Sequence, residues 1–390
     1  MHQSVFGERT QGGGEHLLAD ALDFPSQRAP AVGAVGQAGE HENAPLAHDV
    51  IEDDARAAVL IEDERSGFLY LRETNRHVGT LLQSGYPLDG MRDARSRVVE
   101  DVAYERTLMT ILVTGATGNL GRLIIAGLLE RGTDPQSIVA GARNTAKAAD
   151  LGVRVVHLDY TDAASVATAV EGIDTVVLVS GSEVGQRVAQ HRAVIDAAKA
   201  AGVSKLVYTS VPKATTSDLI LAPEHKATEE LIAAAGVPAV ILRNNWYTEN
   251  YVADLTPSAE TGVLAAGAGD GRVASASRRD FAEAAAAVAL EDGHIGEVYE
   301  LAGDVAWTYS DLAATFSELT GREVSYVRLG FDDQVAALRE AGLDEGTAGF
   351  VAALDAGIKD GALADTDGTL ARLIGRPTTP LLEGLRAASA

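Results

Sequence analysis

The sequence predicts an α/β protein, a doubly wound parallel sheet with helices on both faces, followed by a smaller C-terminal α/β lobe. Two observations predict it. From residue 109 onward, short apolar runs alternate with amphipathic helical stretches, the pattern of strands joined by crossover helices. The first apolar run also ends in a glycine-rich turn that leads straight into a helix pattern. The strands are expected at 111–114, 138–142, 153–157, 175–180, 204–210 and 238–243. The helices are expected at 119–131, 145–150, 162–170, 186–201 and 224–235. Beyond these, helical stretches are expected at 281–290, 309–320 and 331–342, with strands at 297–301 and 324–329. Right-handed crossovers place the strand C-termini, and any ligand, along one edge of the sheet.

The glycine turn is the most specific signal. Ile111, Leu112 and Val113 precede Thr114-Gly115-Ala116-Thr117-Gly118-Asn119-Leu120-Gly121. Leu120, Leu123, Ile124, Leu128 and Leu129 then keep helical spacing. Gly115 permits the tight turn, Gly118 lets a pyrophosphate approach the backbone, and Gly121 lets helix and strand pack closely. The helix N-terminus offers N–H groups and the positive end of its dipole to phosphates. The strand, turn and helix together predict a Rossmann-type dinucleotide site. The spacing GxxGxxG, rather than GxGxxG, points to the short-chain dehydrogenase variety of that fold.

Composition removes other classes. The formal charge of −24 disfavours nucleic acid and anionic membrane surfaces, since there is no basic surplus to replace their counterions. Without cysteine there is no disulfide, thiolate catalysis or Cys-based zinc site, and no metal site is expected. No apolar run has transmembrane length, and the N-terminus lacks the basic-then-apolar pattern of a signal peptide. A cytoplasmic protein is expected.

Residues 1–108 read differently from the rest. They hold no lysine, five of the nine histidines (His2, His16, His41, His48, His77) and the run Gly12-Gly13-Gly14. Only 57–61 and 67–71 look able to form short ordered pieces; the remainder is expected to be disordered. Met109 stands just before the first strand. We therefore expect the natural start at Met109, with 1–108 translated in error; a flexible regulatory extension is the alternative. The expected domains are 1–108, a nucleotide-binding domain over 109–245 and a substrate-binding lobe over 246–390.

The end of the second strand selects the cofactor. An acidic residue there would bind the adenosine ribose 2′-OH of NAD. Here the strand ends in Arg143-Asn144, with Lys147 beyond and no acid. A guanidinium holds a 2′-phosphate by paired charged hydrogen bonds, so NADPH is expected. Asp159-Tyr160 follow the third strand, where such a pair lies near adenine or simply precedes a helix. Ser180-Gly181-Ser182 follow the fourth, and their small size lets backbone pass beside the nicotinamide half.

The usual proton donor is missing. Most short-chain dehydrogenases use Tyr-x-x-x-Lys to protonate a nascent alkoxide. None of the ten tyrosines has lysine four residues later. At the expected place the chain reads Pro223-Glu224-His225-Lys226-Ala227-Thr228-Glu229. His225 takes the tyrosine's position and Glu229 the lysine's. A ketone needs that acid; a quinone does not, because its product anion is a phenolate whose conjugate acid has a pKa of about 10. An easily reduced acceptor or a cofactor sensor both fit. His225 is a candidate proton donor or substrate-orienting group, with a solvated helix residue as the alternative.

Seven further-spaced stretches then carry a resemblance: TGATGNLG from Thr114, SEVGQRVAQHR from Ser182, EHKATEE from Glu224, LRNNWYTENY from Leu242, AGDGRVASASRRDFA from Ala268, YELAGD from Tyr299 and IGRPTTPL from Ile374. From Met109 onward the chain resembles the NmrA-like atypical short-chain dehydrogenases, and within them the bacterial type 2 NADPH:quinone oxidoreductases. The resemblance implies flavin-independent reduction of a quinone, with quinone detoxification as the role. It assigns cofactor contacts to Gly115–Leu120, Arg143, Ser180–Ser182, the run Asn244, Asn245, Trp246, Tyr247, Thr248 and Glu249, and Arg278. It implies a quinone pocket in which Trp246 and Tyr247 stack on the ring and Asn250 donates to its oxygen; inter-lobe packing is the alternative for both aromatics. Asn245 replaces a glycine of the pattern, which predicts a narrower pocket. A homodimer is compatible with this reading. Two rivals remain: an NADP(H) sensor without turnover, and an ether or isoflavone type of reductase, whose working lysine would be Lys226, one residue out of place.

Overall fold

The computed structural model describes residues 109–390 and, earlier in the chain, five short strands. These are β1 (Asp49–Ile51), β2 (Ala58–Asp63), β3 (Phe68–Glu73), β4 (Arg76–His77) and β5 (Leu82–Gln83). They pair antiparallel in the order β1-β2-β3-β4, with β5 also on β3. The expected ordered pieces at 57–61 and 67–71 fall in β2 and β3. The expectation of disorder for the rest of 1–108 lies outside the described residues.

The main sheet is wholly parallel. Its strands are β6 (Ile111–Val113), β7 (Ile138–Ala142), β8 (Arg154–His157), β9 (Thr175–Leu178), β10 (Lys205–Ser210), β11 (Ala239–Asn244) and, returning from the C-terminal lobe, β14 (Val298–Leu301). Their spatial order is β14-β11-β10-β9-β6-β7-β8, so the strand order reverses between β6 and β9. Ligands bind in the crevice at such a switch point, outside the strand C-termini. β6, β7, β9 and β10 are buried along their whole lengths, as strands covered on both faces must be.

Two helical layers cover the sheet. One holds α1 (Asn119–Glu130) and α6 (Arg278–Leu290), with Ile124, Leu128, Phe281 and Val288 in its core. A Cβ on Gly127 would lie 3.3 Å from Ala286 Cβ, so small residues let these helices approach closely. The other layer holds α2 (Ala163–Ala169), α3 (Arg187–Ala201) and α4 (Ala222–Ala235) over Val166, Val194, Ile195 and Tyr208.

The smaller lobe comprises α5 (Val252–Thr261), β12 (Val263–Ala266), β13 (Arg272–Val273), β15 (Trp307–Thr308), α7 (Tyr309–Thr320), β16 (Ser325–Arg328), α8 (Phe331–Glu340) and α9 (Glu345–Lys359). After α10 (Thr369–Ile374), α11 (Leu381–Ala388) closes it. Tyr251, Trp307, Tyr309 and Phe316 form its core. β12 pairs parallel with β16, and β13 antiparallel with β15.

Two expectations need correction. The helix expected at 145–150 is a 3-10 helix, Thr145–Leu151, that ends at left-handed Gly152. The strand expected at 297–301 belongs to the main sheet, where Val298–Leu301 pairs with Ile241–Asn244. α6 likewise packs on α1. A cut at 245/246 therefore divides elements that share one core. The chain leaves the nucleotide-binding layer after β11, returns for α6, and returns again for β14.

Candidate dinucleotide site

The turn after β6 is tight and lacks side-chain bulk, the geometry a phosphate cradle requires. Gly115 has φ of 57°, the left-handed region where only glycine is unstrained. Gly118 N–H donates to Gly115 O at 2.9 Å, and Ala116 N–H to Gly141 O at 3.1 Å. A Cβ on Gly121 would lie 2.3 Å from Gly115 O. Ala116, Leu120 and Gly121 are buried packing positions, whereas Gly115, Thr117, Gly118 and Asn119 reach the surface. Gly118 caps α1 without a side chain, and the first turn carries no acid. The orphan N–H groups and positive dipole end are thus free of any internal anion, as a bound pyrophosphate requires. At the end of β11, the Oδ1 of buried Asn244 has no hydrogen-bond partner. Both observations fit a dinucleotide cofactor.

Arg143 follows β7, half-exposed, and its Nη1 lies 2.9 Å from Glu183 Oε1. Asp159 Oδ1 accepts from the Thr161 N–H at 2.9 Å and its hydroxyl at 2.7 Å, a local turn. The neighbouring Asp162, rather than Asp159, caps α2. The Tyr160 hydroxyl lies 2.6 Å from Thr114 Oγ1 and 3.0 Å from Val179 O, which ties together the ends of β6 and β9.

Sequence reasoning missed the clamp on Gly181. Its N–H donates to His191 Nε2 at 3.0 Å, and its carbonyl accepts from Arg187 Nε at 2.7 Å. Because Nε2 accepts, the His191 proton sits on Nδ1, 3.1 Å from Thr228 Oγ1. Thr228 in turn donates to Glu224 O at 2.9 Å. The Arg187 side chain, 4% exposed, also pairs with Glu224 Oε2 at 3.1 Å. Ser180 N–H donates to Thr209 Oγ1 at 2.9 Å. The loop after β9, with Ser180, Gly181 and Ser182, is therefore set by α3 and α4. The only sequence trace was the polar run SEVGQRVAQHR, whose Arg187, Gln190 and His191 fall on one helix face.

Two imidazoles in this region are held neutral. Burial, then the Arg187 charge, pushes His191 down to about 3. Burial, then Arg187 and His191, pushes His225 well below its ordinary value. In each case the unfolded chain takes up a proton near pH 6.5 and the folded chain does not. Stability is thus complete above that pH and falls as pH drops towards 3. At about 1.4 kcal/mol per unit, His191 alone removes roughly 2 kcal/mol between pH 7.5 and 5, and His225 adds to the loss in the same direction. Thermal melting across that range should show a steadily falling Tm; an unchanged Tm would contradict the assignment.

The positions of the missing acid pair are committed elsewhere. His225 is 4% exposed, and its Nδ1 lies 2.8 Å from the buried Tyr208 hydroxyl. It is a buried ring in the layer between α4 and the sheet, not the solvated residue considered as the alternative, and this burial argues against proton donation. Glu229 accepts from Arg243 Nη2 at 2.6 Å and from Ser210 Oγ at 2.6 Å. Arg243 also reaches Glu300 at 2.8 Å, so Glu229 and Arg243 together tie β10, β11 and β14.

The segment after β11 divides in two. Asn245 is buried, donating from Nδ2 to Leu363 O at 3.3 Å, with Oδ1 accepting from Trp246 N–H at 2.6 Å. Its amide is spent on the C-terminal segment, which gives no support to a narrowed pocket. Thr248 bonds Ser275, and the Glu249 carboxylate accepts the Arg278 N–H at 2.9 Å. Arg278 lies 5.1 Å from the centre of the Tyr247 ring and donates from Nη2 to Asn250 Oδ1 at 2.8 Å. Asn250 keeps its amide N–H groups as its remaining polar capacity. Trp246 packs, partly buried, against the core of the smaller lobe, and Tyr247 meets Phe281 edge-on.

A parallel sheet reversing at β6/β9, with an acid-free glycine turn and an arginine at the next strand end, defines a Rossmann-type dinucleotide-binding protein. The chain belongs to the NmrA-like family, which matches residues 107–343. It is 49% identical over 279 residues to quinone oxidoreductase 2 of Escherichia coli, covering 70% of this chain and 97% of that one. The solved structure of the NADPH-dependent quinone oxidoreductase of Escherichia coli, complexed with NADPH, matches with a TM-score of 0.69 at 48% identity, over 71% of this chain and 99% of that one. The triphenylmethane reductase of Citrobacter sp., complexed with NADP(H), matches with a TM-score of 0.69 at 37% identity, over 72% and 100%.

Proposed function

We propose that this chain is an NADPH-dependent, flavin-independent quinone oxidoreductase that removes reactive quinones. One observation carries the reading beyond the similarity. The nucleotide crevice is intact, while the positions of the ketone-reducing acid pair hold buried His225 and ion-paired Glu229. That combination suits an acceptor whose product anion needs no enzymic acid.

The cofactor supplies a hydride when bound. The turn from Gly115 to Gly121 and the start of α1 hold its pyrophosphate, and Arg143 its 2′-phosphate. The clamped Gly181 loop and Asn244 orient its nicotinamide half. Asp159, Ser180 and Ser182, with Thr248, Glu249 and Arg278 behind the pocket wall, complete the set. Trp246 and Tyr247 stack on the flat acceptor, and Asn250 donates to its oxygen. Rate enhancement is then mainly proximity and orientation. Solvent protonates the hydroquinone anion, so no side chain changes its protonation state. No helix among the described residues is long and apolar enough to cross a membrane. A cytoplasmic enzyme, active as a monomer or a homodimer, is in keeping with this reading.

The full chain, mixed with NADPH and 1,4-naphthoquinone, should show saturable loss of nicotinamide absorbance that needs the quinone and no added flavin. NADPH binding without turnover on benzoquinones or naphthoquinones would leave the sensor as the better reading.

A further inference from the structure

Arg143 stands at the C-terminal end of β7 and Glu183 in the loop after β9, and β6 lies between those strands. Strands two apart are separated by about 10 Å. The Arg143–Glu183 ion pair, at 2.9 Å, therefore reaches across the end of the strand whose glycine turn opens α1. Glu183 is not a loose surface acid. Its second oxygen accepts from Gln190 Nε2 at 2.8 Å, and Gln190 is 5% exposed. Two residues earlier the loop is gripped at Gly181 from both sides. A carboxylate fixed on Arg143 opposes phosphate binding by its charge; Asp159, also within electrostatic reach of Arg143, turns its Oδ1 to Thr161 instead. Ordinary anion binding gives no reason for the Glu183 carboxylate.

We propose that Glu183 is a latch on the 2′-phosphate position: its carboxylate takes, on Arg143, the place of a dinucleotide's 2′-phosphate. The proposal rests on the NADPH reading above. A dinucleotide laid along the switch-point crevice meets this ion pair and must part it. NADPH exchanges one anion on Arg143 for another, a dianion that the guanidinium can hold through two hydrogen bonds. NADH parts the pair and leaves Arg143 without a directly hydrogen-bonded anion, with Asp159 its remaining nearby acid. Parting the pair weakens both cofactors alike, and only the 2′-phosphate offsets it; the preference comes from the phosphate on Arg143, and the latch sets how weakly a dinucleotide without it binds.

Direct binding to the full chain, read by nicotinamide fluorescence, tests this. Glu183→Gln keeps the side-chain length; with its one carbonyl oxygen on Gln190 it keeps that contact and deletes the charge and the acceptor that faced Arg143. A partly exposed pair is worth up to about 1 kcal/mol, so the Kd of NADH should fall about 2- to 5-fold, and that of NADPH should also fall. Arg143→Ala should weaken NADPH without weakening NADH. In the Arg143→Ala background the latch has no partner, so adding Glu183→Gln should leave the NADH Kd unchanged. An equal gain in both backgrounds would mean plain charge repulsion and overturn the latch. A weakened or unchanged NADH Kd in Glu183→Gln alone would also overturn it, the former by showing that the carboxylate binds the cofactor itself. Loss limited to the latch leaves the wild-type preference for NADPH intact; a wild-type chain that binds no NADPH would overturn the cofactor reading and the latch together.

Discussion

Gly121→Ala is expected to raise the Kd for NADPH by about 100-fold. Helix propensity alone predicts the opposite sign for stability, since alanine is favoured over glycine in a helix by about 1 kcal/mol. The contact decides otherwise. The added Cβ would stand 2.3 Å from Gly115 O, 2.9 Å from its carbonyl carbon and 3.0 Å from Ala116 Cα. These are backbone atoms of a turn, with no flexible end to swing away. The turn must open, and the N–H groups of the cradle move off the pyrophosphate. Loss of one or two charge-assisted hydrogen bonds, about 1.5–3 kcal/mol each, gives the stated factor. Gly118→Ala is milder, because its Cβ would meet only Gly115 O, at 3.3 Å. Titration with NADPH measures both; equal affinities for wild type and Gly121→Ala would refute this account of the turn.

Arg187→Met is expected to lower stability by about 3 kcal/mol. The change removes a buried cation from Glu224 and from the Gly181 carbonyl while roughly keeping its volume. Breaking one side of a buried pair costs about 3–5 kcal/mol, because the remaining charge has no partner. Here the lower end applies, since Glu224 is 21% exposed on its side chain and also accepts from Gly185 N–H. For a domain of this size each kcal/mol moves Tm by about 2–4 °C, so a fall of roughly 6–12 °C follows. Adding Glu224→Gln should restore part of it, because the uncompensated charge is then gone. A Tm within 2 °C of wild type would show that the clamp is not a buried ion pair.

The centre of the sheet was legible in the sequence because β6, β7 and β9 are buried on both faces and read as short, mostly apolar runs. The helices α1 to α4 were legible by spacing, with boundaries within two residues. The glycine turn could be read because its conformation is local: Gly115 needs a positive φ and Gly121 a missing side chain, whatever surrounds them. The membership of β14 could not be read. Val298–Leu301 looks like any short strand, and only its pairing with β11 assigns it to the main sheet. α5 and α9 were missed because Pro257 interrupts the first, and Gly346, Gly349 and Gly357 dilute the second. In both, tertiary packing overrides weak propensity.

The candidate site divides along the same line. Gly115, Gly118, Arg143 and the Ser180–Ser182 loop stand at strand C-termini, where a motif at a known strand end had to put them. His225 was placed by alignment with an absent tyrosine, and position in sequence says nothing about a ring that turns to Tyr208. The His191–Gly181–Arg187 clamp joins a helix to a loop and a second helix. Each of its residues alone reads as an ordinary polar side chain; the sequence places Arg187 and His191 on one helix face and gives no sign of the Gly181 backbone they grip.

In the proposed function, Arg143 makes this crevice an NADPH site used for quinone reduction. Its most direct test is kcat/KM with 1,4-naphthoquinone for NADPH and NADH, in wild type and Arg143→Ala. Wild type should favour NADPH by about 10- to 100-fold, the worth of one bidentate charged contact of roughly 1.5–3 kcal/mol. Arg143→Ala should lose most of that ratio through NADPH, with NADH no worse. A ratio that survives the substitution, or a wild type that prefers NADH, would contradict the account.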